Sequence, residues 1–99
     1  MDDLRVFRRS VLYLIGATKG GMMRVRIMRL LFEKPYNSNQ LAELLDVDYK
    51  TIRHHIDVLL KNNWITKSEQ RYGEMYFPAF VGDERKIFEE ISAKIGNKL

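Results

Sequence analysis

Two short amphipathic helices joined by two residues constrain the fold of this chain more than any other feature. In residues 48–65, the aliphatic residues Ile52, Ile56 and Leu59 recur at i, i+4 and i+7, which places them on one face of a helix. Polar side chains take the opposite face: Lys50, Arg53, His54, Asp57 and Lys61. A second short helix is predicted over residues 37–45, directly ahead of the first.

Each of these two helices carries its own start and stop signals. Asp48 stands where an N-cap residue belongs, because its carboxylate can accept hydrogen bonds from first-turn amides. Asn37 and Gln40 have the spacing of a capping box. Asp46 and Asn63 follow the two helices, and both residue types tolerate the left-handed backbone that often ends a helix. The pattern predicts a helix-turn-helix whose second helix reads DNA.

Apolar stripes at helical spacing predict three further helices, over residues 3–15, 22–33 and 83–96. The second of them is apolar over much of its circumference, as a central buried helix should be. It ends before Pro35, whose ring bars the preceding residue from helical geometry. The first and last helices carry four apolar residues each: Leu4, Phe7, Val11 and Leu14, and Ile87, Phe88, Ile91 and Ile95.

β-Branched and aromatic residues predict a hairpin after the recognition helix, with strands at 64–68 and 74–78. The predicted fold class is therefore mainly α with a small β-hairpin, a winged helix-turn-helix with flanking N- and C-terminal helices. It forms one domain, 1–99. Its predicted parts are a flanking helix at 3–15, a three-helix core at 22–62 with the helix-turn-helix at 37–62, the wing at 64–78 and the last helix at 83–96.

Several stretches of this chain also match a known sequence pattern. They are Asn-Ser-Asn-Gln-Leu-Ala at 37–42, Asp-Tyr-Lys-Thr-Ile-Arg-His-His-Ile-Asp-Val-Leu at 48–59, Asn-Trp-Ile at 63–65 and, upstream, Arg-Val-Arg-Ile-Met-Arg-Leu-Leu-Phe-Glu-Lys-Pro at 24–35. With these stretches the chain resembles the ArsR- and MarR-like winged-helix transcription regulators over about residues 22–78. The resemblance implies a dimer that binds promoter DNA, with repression the more frequent mode. Asp46 and Asn63 depart from the usual glycines, and Arg53 replaces a usual small serine.

With DNA as the partner, the recognition helix, residues 49–62, enters the major groove. Arg53 is the best base reader, because its fork matches guanine O6 and N7. Residues at the start of the preceding helix can donate to a phosphate, and the wing can reach the backbone or minor groove. Tyr49 lies near the apolar stripe, where covering the core is its alternative role. The predicted DNA-contacting residues are Asn39, Gln40, Tyr49, Lys50, Thr51, Arg53, His54, Lys67 and Arg71.

The sequence gives little support for catalytic or metal chemistry. The chain has no cysteine, so it forms neither disulfides nor thiolate metal sites. His54 and His55 are adjacent on a helix and point roughly 100° apart, so they cannot chelate one ion together. We expect His55 to pack at the core boundary instead. Neither a phosphate loop nor a nucleophile with a base is evident, so we expect no enzyme, no cofactor and no metal.

Charge and hydropathy bound the partners. Residues 1–34 hold eight Lys and Arg against three Asp and Glu, whereas residues 35–99 hold nine against ten. The near-neutral second part keeps an alternative open, a winged helix that docks on another protein, for example within the transcription machinery. No apolar run approaches the length of a membrane span and no signal peptide is evident, so we expect a cytoplasmic protein with no membrane partner.

The flanking helices pose the question of oligomeric state. Their apolar stripes either pack on the core of the same chain or pair across a two-fold axis, as in the resembling family. We expect a homodimer through the first and last helices, which would favour a palindromic DNA site. Nothing in the sequence identifies a small-molecule effector.

Overall fold

The computed structural model describes residues 3–70 and 73–96. It confirms the winged helix-turn-helix class with flanking helices. Its elements are α1 (Asp3–Val11), a π-helical segment (Leu12–Ala17), α2 (Gly21–Glu33), α3 (Ser38–Leu45), α4 (Tyr49–Lys61), β1 (Ile65–Gln70), β2 (Gly73–Pro78) and α5 (Asp83–Gly96). Two compact units divide the chain, residues 26–79 and residues 1–25 with 80–99. A single domain over 1–99 stays a prediction.

In the unit of residues 26–79, the helix pair begins and ends at the predicted signals. The side chain of Asn37 accepts from the Gln40 amide at 2.8 Å, and the Gln40 side chain accepts from the Asn37 amide at 2.9 Å, which completes the capping box. Asp48 caps α4. Asp46 and Asn63 adopt positive φ angles of 55° and 60°, as predicted for residues that leave a helix.

The apolar face of α4 supplies part of the buried interior of this unit. Ile52, Ile56 and Leu59 are fully buried, as their spacing predicted, and His55 is buried among them on the helix. A fully buried aliphatic side chain contributes roughly 1.5–3 kcal/mol through removal of apolar surface from water. This stripe therefore fixes which face of α4 remains outside. The helix ends at Lys61, one residue before the predicted boundary.

The hairpin is longer than predicted. Strands β1 and β2 pair antiparallel, and their ladder includes Glu69 opposite Glu74 and Gln70 opposite Gly73, which the sequence assigned mainly to the connection. The amide of Tyr76 also donates to the carbonyl of Tyr36 at 3.0 Å, which adds a bridge from the segment before α3. The predicted wing residue Arg71 lies outside the described residues.

In the unit of residues 1–25 and 80–99, α1 packs against α5. The ring of Phe80 contacts Phe7 edge-on at a centroid distance of 4.9 Å and lies 5.8 Å from Phe88. Val11 and Ile91, from the two predicted stripes, are buried. The flanking helices thus pack against each other within one chain, and pairing across a two-fold axis stays a prediction.

The first helical stretch runs further than predicted, because the backbone continues as a π-helical segment to Ala17 rather than ending near Ile15. Arg24 supports its end: the guanidinium donates to the Leu14 carbonyl at 2.8 and 3.1 Å and also binds Thr18. A wider helical turn leaves carbonyls poorly paired, and a buried arginine satisfies one of them. Among the described residues, no helix is long and apolar enough to cross a membrane.

Candidate nucleic-acid interface

The outer face of α4 is an exposed polar helical surface within the predicted site. Lys50, His54, Asp57 and Lys61 follow one another at helical spacing, and all four are exposed. Tyr49 is 52% exposed and so does not cover the core, which was its alternative role. These side chains present two ammonium groups, an imidazole and a phenol to solvent, groups that can donate hydrogen bonds to nucleic acid.

The start of α4 is organised by Asp48. Its Oδ1 accepts from the Thr51 amide at 2.7 Å, and its Oδ2 accepts from the Thr51 hydroxyl at 3.1 Å. The Thr51 amide, then its hydroxyl, lower the pKa of Asp48 below its ordinary value. The hydroxyl of Thr51 is therefore engaged within the helix terminus, while its methyl group keeps the capacity to contact a thymine methyl.

Arg53 points into the protein rather than straight outward. One terminal nitrogen donates to the Tyr76 hydroxyl at 2.7 Å and to the Ser38 hydroxyl at 3.3 Å. The other lies 3.4 Å from Asp57, one helical turn along α4. Its guanidinium thereby joins α3, α4 and the wing.

The contacts continue along the wing. The Tyr76 hydroxyl donates to Glu74 at 3.1 Å, and Glu74 also pairs with Lys67 at 3.3 Å. The hydrogen bond from Tyr76 and then that from Lys67 lower the pKa of Glu74. We call Ser38, Arg53, Asp57, Lys67, Glu74 and Tyr76 the wing network. Two residues predicted to contact DNA, Arg53 and Lys67, thus each have a carboxylate partner.

A cleft of about 340 Å³ lies beside the wing network. Its lining residues come from the start of α3, from α4 and from β2: Asn37, Ser38, Asn39, Tyr49, Arg53, Gly73, Glu74 and Tyr76. Asn39 is exposed at the start of α3, where backbone amides favour an anion. The carbonyl oxygen of Gln40 is held by the capping box, so only its NH₂ group is suited to donate to a phosphate.

The two histidines of α4 differ in burial, and the burial of His55 agrees with the expectation that it packs at the core boundary. His54 is exposed and His55 is buried, with their ring centroids 5.3 Å apart. Within residues 3–70 and 73–96, no group of three or more His, Asp or Glu side chains is placed to hold a metal ion.

The structure therefore brings Asn39, Tyr49 and Arg53 together around one cleft, and it sets Lys50 and His54 on the outer face of α4. Sequence reasoning missed Ser38 and Tyr76. Their partner Arg53 lies 15 and 23 residues away along the chain, and no spacing rule connects side chains at such separations. The departure of Arg53 from the usual serine was the only available signal.

A two-strand wing following a helix-turn-helix defines the winged-helix class of DNA-binding proteins. Residues 23–67 match the family model described as "Bacterial regulatory protein, arsR family". This segment is therefore an ArsR-like helix-turn-helix, which confirms the resemblance and supports DNA-binding transcription regulation. Because the matched family consists of regulatory proteins, the match is consistent with the expectation that the chain is not an enzyme. No curated protein matches the chain.

Proposed function

We propose that the protein binds double-stranded DNA sequence-specifically as a dimeric transcription regulator, acting as a repressor. The observation that carries the proposal is the exposed polar face of α4 within a segment that matches the ArsR family model. A recognition helix needs side chains that donate and accept hydrogen bonds along one exposed face. The face of Lys50, His54, Asp57 and Lys61 meets that need.

In this proposal the start of α4 enters the major groove. Lys50 and His54 reach base edges or phosphates, while Tyr49 and the Thr51 methyl group make apolar contacts with bases. Asn39 and the NH₂ group of Gln40 donate to a phosphate at the start of α3. Lys67 and Arg71 serve the backbone or minor groove from the wing. The Lys67 ammonium would exchange Glu74 for a phosphate on binding.

Dimer formation is supported by apolar residues of the first helical stretch that intrachain packing leaves outside. Val6 is 59% exposed and Tyr13 is 62% exposed, and Leu12 is also exposed. The stripe of α5, by contrast, is buried at Ile87, Phe88 and Ile91. We therefore assign the larger share of the dimer interface to the first helical stretch, with α5 supporting it from within the same chain.

The first experiment is fluorescence-anisotropy titration of genomic fragments at several salt concentrations, including the promoter of the protein's own gene. We expect tight binding to one fragment and a steep loss of affinity with salt, because each phosphate contact releases counterions. Lys50→Ala should weaken binding about tenfold and reduce the salt slope by about one. Lys86→Ala, an exposed lysine on α5, is the matched control and should change neither.

A second outcome of this titration would overturn the proposal. Weak binding that does not distinguish fragments, or affinity for a protein that survives high salt, would assign α4 and the wing to docking on a protein partner.

Sedimentation velocity tests the dimer. Val6→Glu places a charge on the proposed apolar interface, so it should shift the protein to monomer at micromolar concentration. Val81→Glu is the matched control, since Val81 is 77% exposed and lies outside the first helix. A wild-type protein that sediments as a monomer would remove the dimer from the proposal.

A further inference from the structure

We infer that Arg53 is a positioning residue, which holds the wing against the recognition helix through Tyr76, and that it does not read a base. The inference rests on the proposed DNA-binding function and deepens it. It assigns base reading to the exposed residues Lys50 and His54 of α4 and wing placement to Arg53. It also gives a role to Tyr76 and Ser38, which spacing in the sequence did not single out.

The donors of Arg53 are the first argument. The two terminal nitrogens bind three side chains, the hydroxyls of Tyr76 and Ser38 and the carboxylate of Asp57. Bidentate recognition of guanine needs two parallel N–H donors aimed at O6 and N7. The two N–H groups of one terminal nitrogen are used on Tyr76 and Ser38, so recognition of guanine through both terminal nitrogens would take a donor away from one of these hydroxyls.

The setting of Tyr76 is the second argument. Its side chain is 1% exposed, and its amide donates to the Tyr36 carbonyl, so the ring cannot follow a moving arginine. Its hydroxyl accepts from Arg53 and donates to Glu74, which uses the phenol in both of its hydrogen-bonding directions. Arg53 is thus bound to a fixed point on β2.

The charges around Arg53 also favour a positioning role over base reading. Arg53 faces Asp57, and Lys67 faces Glu74, so the two cations of the wing network are matched by two carboxylates. A cation that contacts DNA gains most where no carboxylate competes for it. Among the described residues, Lys50 takes part in no salt bridge. It lies on the outer face of α4 and is therefore better placed than Arg53 to contact DNA.

The consequence is geometric. Wing and recognition helix contact different parts of a DNA site, so their relative placement determines whether both engage together. The nitrogen of Arg53 that binds Tyr76 also donates to Ser38 at the start of α3. One guanidinium therefore connects α3, α4 and the wing. A tether of this kind acts on affinity through the wing, with no contact of its own to DNA.

The test is a double-mutant cycle of Arg53→Met and Tyr76→Phe, with DNA affinity and amide hydrogen exchange as readouts. Tyr76→Phe removes only a hydroxyl and keeps the charge of Arg53. We expect each single variant to weaken DNA binding about tenfold, the scale of one charge-assisted hydrogen bond. The double variant should be no weaker than either single one.

Base reading by Arg53 predicts a different pattern. Tyr76→Phe would then leave affinity within about twofold, Arg53→Met alone would lose it, and specificity at one base pair would relax. That result overturns the inference. Lys50→Met, which removes a cation outside the wing network, is the control that should lower the salt slope.

Hydrogen exchange separates failure of this inference from failure of the proposed function. Both single variants should raise exchange at the amides of residues 73–77 about tenfold and leave those of 52–59 unchanged, because only the wing is released. Unchanged exchange in both variants overturns the tether whatever the DNA result. If wild-type protein binds no DNA, the proposed function fails and exchange alone decides whether Arg53 holds the wing.

Discussion

Arg24 and Arg53 have different structural roles in the two units of the chain. Arg24 is 2% exposed and donates to the backbone carbonyls of Leu14 and Lys19 and to the hydroxyl of Thr18. Arg53 is partly exposed and donates to the side chains of the wing network. One arginine completes backbone hydrogen bonding in an interior, whereas the other connects surface elements.

Loss of each arginine should therefore have a different consequence. A buried donor to backbone carbonyls cannot be replaced by water, so its loss is felt as stability. A side-chain bond near solvent is partly replaced by water, so its loss costs less stability and acts mainly on the placement of the wing. We therefore expect loss of Arg24 to lower stability more than loss of Arg53, and loss of Arg53 to act mainly on recognition.

The largest effect should come from Gly21. A methyl group there would lie 2.6 Å from the carbonyl carbon of Ile15 and 2.9 Å from its Cα, which backbone atoms cannot relieve. Gly21→Ala should lower the free energy of unfolding by about 3 kcal/mol in urea denaturation. Gly16→Ala meets only the flexible end of Ile95 at 3.2 Å, so it is the matched control and should change little. Equal losses in both variants would contradict the steric argument.

Arg24→Met tests the comparison directly. The variant keeps an apolar stem but removes the donors to Leu14 and Thr18, so we expect a loss of about 2 kcal/mol in the free energy of unfolding. Arg29→Met alters an exposed arginine of the same helix and should change the free energy by less than about 0.5 kcal/mol. If Arg53→Met destabilised the protein as much as Arg24→Met, the assignment of stability to Arg24 and of wing placement to Arg53 would be wrong.

A smaller effect is expected at the capping box. Asn37→Ala removes the acceptor for the Gln40 amide at the start of α3, which should cost about 1 kcal/mol of unfolding free energy in thermal or urea denaturation. Asn39→Ala, which alters an exposed asparagine two residues later, is the control. A loss confined to DNA affinity, with stability unchanged, would show that the cap contributes less than its geometry indicates.

The smallest effect is a dependence of stability on pH. Glu74 and Asp48 have lowered pKa values in the folded protein, so the folded state binds fewer protons than the unfolded state. Their contribution is present above the ordinary carboxyl pKa and is lost as the pH falls through the lowered values, below about pH 4. Tm measured from pH 6 to pH 3 should therefore fall less steeply in Glu74→Gln than in wild type. Glu84→Gln, on α5, is the control and should keep the wild-type slope, and a slope as shallow as that of Glu74→Gln would contradict the assignment.

Much of the fold was predictable because its signals are local. The capping box of Asn37 and Gln40, the cap at Asp48 and the left-handed residues Asp46 and Asn63 all act within three or four residues of themselves. Apolar spacing likewise identified which side of α4 is buried. The first helix was predicted too short, because the π-helical segment and its support by Arg24 depend on a contact ten residues away.

The candidate site was predictable only in its outer half. Helical spacing alone placed Lys50 and His54 on the exposed side of α4, since a helix with one apolar stripe must turn its polar side to water. The direction of Arg53, and the presence of Tyr76 and Ser38 around it, were decided by the packing of β2 and α3 beside α4. Local sequence is enough to predict the helices, their caps and the wing. The partners of Arg53 depend on tertiary packing, because a side-chain bond across 15 or 23 residues exists only after the elements have packed.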